Sequence, residues 1–246
     1  MYYAANGGLG SAPEGVTGAD GSIDLAISGE LAPALKARFP HLVSNTALTM
    51  SGADAAGLAA KVSGQFALAQ SDAGGALVRV TSLQTGGMLD SLFAAAAAPA
   101  RLGVTFSNGV PTFRLWAPTA KAVALNVYAG ADAPLAATVA MTKDAASGVW
   151  SYSAPNALWT NQYYYTYNVK VLSRWASNAL VDNTVTDPYS LSLNANGKRS
   201  FVADLASAAL KPGGWDGHAI PKLDHPTDIS LYELQVRDFS ASDMTV

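Results

Sequence analysis

"GVTFSNGVPTFRLWAPTAKAVALNVYAG", Gly103–Gly130, is the segment from which the architecture can be worked out. It divides into three short runs rich in β-branched and aromatic residues, with turns at Asn108–Gly109 and at Pro118. Each run reads as a short strand. Further strands follow: "GVWSYSA" (Gly148–Ala154), "QYYYTYNVKV" (Gln162–Val171) and "SFVADL" (Ser200–Leu205). In the second of these, Tyr163, Tyr165 and Tyr167 share one face, and Tyr164, Thr166 and Asn168 the other. Many short strands at regular spacing predict a β-sandwich over residues 101–205. All five Trp and all but two of the ten Tyr lie in or beyond this region.

Upstream the texture differs. Residues 1–20 are crowded with Gly and small side chains and read as a linker or the tail of a preceding module. Residues 21–100 read as a small α+β module. "SIDLAISG" alternates as a strand carrying Ile23, Leu25 and Ile27, and "NTALTMS" is a second. "FALAQSDAGGALVRVTSLQ" gives two strands joined by a Gly-rich turn. "PALKARFP", "DAAGLAAKVSGQ" and "GGMLDSLFAAAAA" read as helices, with Asp54 placed to cap the second. Downstream, residues 206–227 carry several Pro and Gly and read as an extended linker, and residues 228–246 begin a new strand. The fold class expected is therefore mainly β.

Composition narrows the function. The 246 residues are 50% hydrophobic and 13% charged, with a net charge of −3. Without a basic face, nucleic acid is not an expected partner. There is no cysteine, which removes disulfides, thiolate metal sites and Cys nucleophiles. No apolar run reaches membrane-spanning length, and no secretory n- and h-regions follow Met1.

Catalytic patterns are sparse. A retaining glycosidase needs two carboxyl groups about 5 Å apart. Glu14, Glu30 and Glu233 show no spacing that pairs them. Aspartates fall mostly at turns and caps, where local hydrogen bonding explains them. His41, His218 and His225 make no HExxH pattern, and no GxSxG elbow occurs. Aromatic side chains carry more. A sugar ring offers an apolar C–H face to stack on an indole or phenol, while polar neighbours take its hydroxyls. Trp159, Tyr164 and Trp175 fall near strand ends or loops and are candidates for such a platform, with Lys143 and Asn178 as hydroxyl partners. Trp116 and Trp150, among apolar strand neighbours, read as core.

Four segments in order, "FRLWAPTAKAVALNVY", "MTKDAASGVWSYSA", "VTDPYSLSLNANGKRSFVADL" and "LYELQVRDFSASD", resemble the type I pullulanases, α-1,6-glucan debranching enzymes of the α-amylase clan. "YYAANGG", "RFPHL" and "VTSLQTGGMLDSLFA" resemble the module that precedes the sandwich in the larger members. The resemblance implies an immunoglobulin-like sandwich of the starch-type carbohydrate-binding class. It also implies that residues 228–246 are the first strand of a truncated (β/α)8 barrel, with Arg237 and Asp238 at its end. The family's catalytic carboxylates come from later strands. This portion is thus expected to be non-catalytic, with the missing barrel and α-glucans such as pullulan, amylopectin and maltooligosaccharides as partners. A stand-alone glucan-binding or scaffold protein is the alternative. No cofactor is implied for this portion; calcium is left open for a full-length enzyme. A secreted or cell-surface location is implied by the family alone.

Overall fold

The computed structural model describes residues 1–157 and 159–245; the side chains of Val236 and Asp238 also lie outside the described residues. The chain divides into two compact units, residues 1–206 and 207–246.

Among the described residues the sandwich is built from nine strands. β9 (Gly103–Ser107), β10 (Val110–Trp116) and β11 (Ala122–Tyr128) are the three runs of the opening stretch. They are followed by β12 (Leu135–Ala140), β13 (Thr142–Lys143), β14 (Val149–Ser153), β15 (Tyr164–Ser173), β16 (Ala179–Val185) and β17 (Ser200–Phe201). One sheet has the order β13-β14-β10-β9; the other has β12-β11-β15-β16, with β17 also pairing with β15. All pairs are antiparallel. Alternation explains why two sheets face each other. Phe113 and Leu115 of β10, and Val123, Leu125 and Val127 of β11, point inward together with Tyr165, Tyr167 and Val169 of β15. Thr112, Arg114, Asn126, Asn168 and Lys170 are among the residues at the intervening positions. The result is an immunoglobulin-like sandwich with one closed core.

The turn at Pro118 is held from several sides. The Trp150 indole N–H donates to the Ala117 carbonyl at 3.0 Å, and Trp116 donates to the Ser147 carbonyl at 2.9 Å. Trp150 is a core residue, as read; Trp116 is only half-buried. Gly148 adopts φ +69°, and a Cβ there would lie 2.6 Å from the Pro118 side chain.

The N-terminal module has its own sheet. Its strands in chain order are β1 (Tyr2–Ala4), β2 (Gly10–Ala12), β3 (Gly15–Thr17), β4 (Gly21–Ser22), β5 (Ala26–Glu30), β6 (Thr46–Thr49), β7 (Gln65–Ser71) and β8 (Leu77–Ser82). The main sheet runs β4-β1-β7-β8, with β2-β3 and β5-β6 as separate hairpins. Met1, Ile23, Leu58 and Phe66 form its core, with Tyr3, Leu83, Met88 and Leu92 packed against them.

Several expectations are corrected here. Residues 1–20 are not a tail: β1 lies between β4 and β7, and Met1 and Ala4 are buried. The surrounding glycines hid a strand of only three residues. "SIDLAISG" is not one strand. It splits between β4 and β5, which belong to different sheets, so Ile23 is buried while Ile27 is exposed. Ser51, not Asp54, caps the helix Gly52–Ala56. Its Oγ accepts from the Asp54 N–H at 3.1 Å. Asp54 sits three residues inside, where its carboxylate favours the helix N-terminus. Residues 229–235 form no strand among the described residues. Leu231 and Tyr232 are exposed, and a short helix, Val236–Ser240, starts at the expected strand end. A strand is stable only where its backbone N–H and C=O groups find a partner edge, and none is described beside this one.

Candidate functional site

The five residues read as a binding platform do not form one surface. Tyr164 opens β15, with its ring tilted against Phe201 at 5.0 Å between centroids. Trp159 lies in the preceding loop, half-buried and stacked on Tyr152 at 6.0 Å and 28°. It packs against the sandwich core. Trp175 lies beyond the far end of β15, about 30 Å from Tyr164 at roughly 3.4 Å per residue. The strand that joins these residues therefore also keeps them apart.

Lys143 is engaged elsewhere. Its Nζ donates to the Pro118 carbonyl at 2.7 Å and lies 5.8 Å from the centre of the Trp150 ring. Burial holds its ammonium below the ordinary lysine value. It clamps the Pro118 turn. Arg237 is exposed, and its carbonyl accepts from the Ala241 N–H within the short C-terminal helix. Asp238 falls within that helix, and its side chain lies outside the described residues.

Trp175 is the exposed member of the set. It sits on the 3-10 turn Arg174–Ala176 and is 100% exposed. Ser177 and Asn178 follow in left-handed conformations, φ 51° and 59°, and turn the chain back into β16. The Asn178 carbonyl abuts the N-terminal module. Gly7 has φ +80°, and a Cβ on it would stand 2.2 Å from that oxygen. Only glycine lets the two backbones approach so closely.

Beside this contact a cleft of about 440 Å³ opens between the N-terminal module and the sandwich. Thr119, Leu172, Arg174 and Asn178 line its sandwich wall; Ser63, Gln65, Phe66, Ser82, Leu83 and Thr85 line much of the other. Arg174 Nη2 donates to Ser82 Oγ at 3.2 Å across the join. A second hollow of about 200 Å³ shares Gln65, Phe66 and Ser82 and continues toward Ser11 and Thr81. No Asp or Glu is among the described lining residues of either. Sequence reasoning found Asn178 and Trp175 but missed Arg174, Gln65 and Ser82. Arg174 adjoins Trp175 in "SRWASN", which was a usable signal. The other two come from strands about 90 to 110 residues away, so no spacing reveals them.

A buried polar node was also missed. Asp187 accepts from Tyr165 Oη at 2.7 Å, from Tyr167 Oη at 3.3 Å and from the Tyr189 N–H at 2.8 Å. Its own N–H donates to Ser200 Oγ at 2.9 Å. Burial pushes the Asp187 carboxyl above its ordinary value, against the pull of these donors. Burial and the Asp187 charge push the Tyr165 and Tyr167 phenols far upward as well. Asp187, Tyr165 and Tyr167 are all buried, and the node ties β15 to the chain beyond β16. Among the described residues, no three His, Asp or Glu side chains gather to hold a metal ion.

The comparisons with known proteins meet this geometry. The family model described as "Pullulanase N2 domain" matches residues 1–91. The model described as "Carbohydrate-binding module 48 (Isoamylase N-terminal domain)" matches residues 101–190. The chain carries the N2 and CBM48 domains of the pullulanase family. Pullulanase 1, chloroplastic, of Arabidopsis thaliana is 36% identical over 250 residues, covering 100% of this chain and 25% of that protein. The pullulanase of Klebsiella pneumoniae is 36% identical over 213 residues, 85% of this chain and 19% of the enzyme. A crystal structure of the K. pneumoniae pullulanase complexed with maltotriose superposes with a TM-score of 0.77 at 33% identity, covering 88% of this chain and 20% of that one. The N2–CBM48 pair thus spans a quarter or less of these pullulanases. The N2 match begins at residue 1 and so includes β1, the strand that had been read as a tail.

Proposed function

We propose that this N2–CBM48 pair is the non-catalytic portion of a debranching enzyme that hydrolyses α-1,6 links in pullulan, amylopectin or limit dextrins. In this reading it braces a (β/α)8 barrel and holds α-glucan at the Trp175 end of the sandwich. The observation that carries the binding role is the wholly exposed Trp175 indole beside a polar cleft, on a module of the CBM48 type. A flat aromatic surface of this kind suits the C–H face of a glucosyl ring. The likeness to a pullulanase complexed with maltotriose supports the choice of ligand class.

The non-catalytic role rests on chemistry. Glycoside hydrolysis needs a carboxylic acid whose pKa is raised so that it can protonate the leaving oxygen. Glu30 is in the opposite state. It is exposed, and its hydrogen bond with Lys36 at 2.6 Å, together with the lysine charge, holds its carboxyl below the ordinary value. Asp187 has a raised carboxyl but is enclosed in the sandwich.

Two measurements test the reading. In affinity electrophoresis the 246-residue chain is expected to be retarded by amylopectin, and Trp175→Ala to run as in a glucan-free gel. Incubation with pullulan is expected to release no reducing ends above a blank. Unretarded migration would remove the glucan-binding role, and sugar release would remove the non-catalytic one.

A further inference from the structure

We propose that the cleft between the two domains is itself a glucan subsite, so that the N2 domain supplies half of the carbohydrate contacts. This rests on the α-glucan reading above and adds to it a place and a second contributing domain. Trp175 stands at the sandwich side of this join, next in sequence to the cleft residue Arg174. A chain stacked on the indole would have the polar cleft within reach past Arg174 and Asn178, which flank Trp175 in sequence.

The lining selects the ligand. It offers side-chain hydroxyls and amides, from Ser63, Gln65, Ser82, Thr85, Thr119 and Asn178, which both donate and accept hydrogen bonds. Phe66, Leu83 and Leu172 provide apolar surface between them. No carboxylate is present among the described lining residues, and Arg174 is the one cation there. This mixture suits a neutral chain that alternates hydroxyls with C–H faces. The 440 Å³ volume lies within the range of about 300–1,000 Å³ usual for small-ligand sites. The smaller hollow extends the path through Gln65, Phe66 and Ser82, as a linear oligosaccharide needs and a compact metabolite does not.

The cleft also has a fixed width. Gly7 packs against the Asn178 carbonyl, and Arg174 reaches Ser82. These contacts hold the two walls in register before a ligand arrives, which lowers the ordering cost of binding. The Arg174 guanidinium has further N–H donors beyond the one given to Ser82, and these suit the ring and hydroxyl oxygens of a sugar.

The test is an amide NMR titration of the full 246-residue chain with maltotriose, read alongside two variants. Shifts are expected at Ser63–Phe66 and Ser82–Thr85 of N2 together with Arg174–Asn178. Ser82→Trp fills the point that both hollows share, and Thr85→Trp fills the larger one without removing a helix cap, because Thr85 makes no capping bond. Each is expected to weaken maltotriose at least tenfold, Thr85→Trp with the melting temperature retained and Ser82→Trp with a lowered one, because it also removes the hydroxyl that Arg174 reaches. Shifts confined to the sandwich, or unchanged affinity in both folded variants, would overturn the N2 contribution while leaving a glucan-binding CBM48 intact. No response to maltotriose anywhere would overturn both readings. A response of the same amides to sulfate but not to maltotriose would make the cleft an anion site and overturn the proposal.

Discussion

At the scale of single residues, Asp187 shows what a short polar motif conceals. It lies 3% exposed, with two phenols and a backbone N–H donating to it. The sequence made the local part legible, because an Asp before Pro188 and Tyr189 invites the turn in which it accepts the Tyr189 N–H. Its links to Tyr165 and Tyr167 span 22 and 20 residues and were invisible. The sign of its pH effect follows from burial. A carboxyl raised in the folded state favours folding while protonated, and that contribution is lost as the pH rises through the raised value. The stability of the parent chain relative to Asp187→Asn is therefore expected to be greatest below the ordinary aspartate value of 3.8 and to decline as the pH rises beyond it. Urea midpoints of both proteins between pH 3 and 7 check this, and a gap that widens with pH would contradict it. Trp175 and Trp159 teach the complementary lesson. Both read as loop aromatics, and only tertiary packing exposes one and sets the other against Tyr152.

At the scale of elements, β9, β10, β11, β14 and β15 could be read directly, because large apolar residues alternate and Asn-Gly or Pro marks the turns. β12 and β16 could not. "LAATVA" has small side chains, and "ALVDNTV" carries Asp182, Asn183 and Thr184 on exposed edge positions, so neither shows the period strongly. β16 forms because β15 is long enough to pair with it from Tyr167 to Ser173. The run "LYELQV" has the opposite fate, with strand-like composition and no partner edge among the described residues. Pairing, more than propensity, decides such segments. The Pro118 turn allows a direct test. Gly148→Ala places a Cβ at φ +69° and against Pro118, so a loss of about 1–3 kcal/mol is expected. Thermal or urea unfolding measures it, and a loss under about 0.5 kcal/mol, the size of an ordinary surface change, would mean that the turn shifts freely.

At the scale of the whole molecule, residues 1–206 act as one unit in which N2 and CBM48 meet through Gly7, Asn178, Arg174 and Ser82. Residue types predicted two modules but not their contact, since contact between distant segments leaves no local pattern. Gly7→Ala is expected to cost about 1–3 kcal/mol, through the φ +80° backbone and the clash with Asn178. Limited proteolysis should then cut between the modules sooner than in the parent, and equal resistance would mean that the join tolerates the extra carbon. The environment of Trp175 has a practical consequence. Trp150 is buried, and Trp116 and Trp159 are half-buried, so water-borne quenchers reach Trp175 far more easily than these three. An oligosaccharide lying on that indole would shield it from acrylamide and shift its emission toward the blue. Trp215, 63% exposed, also answers a quencher, so with Trp215→Phe the protein supplies its own optical gauge of occupancy, and no dye needs to be attached to follow a titration.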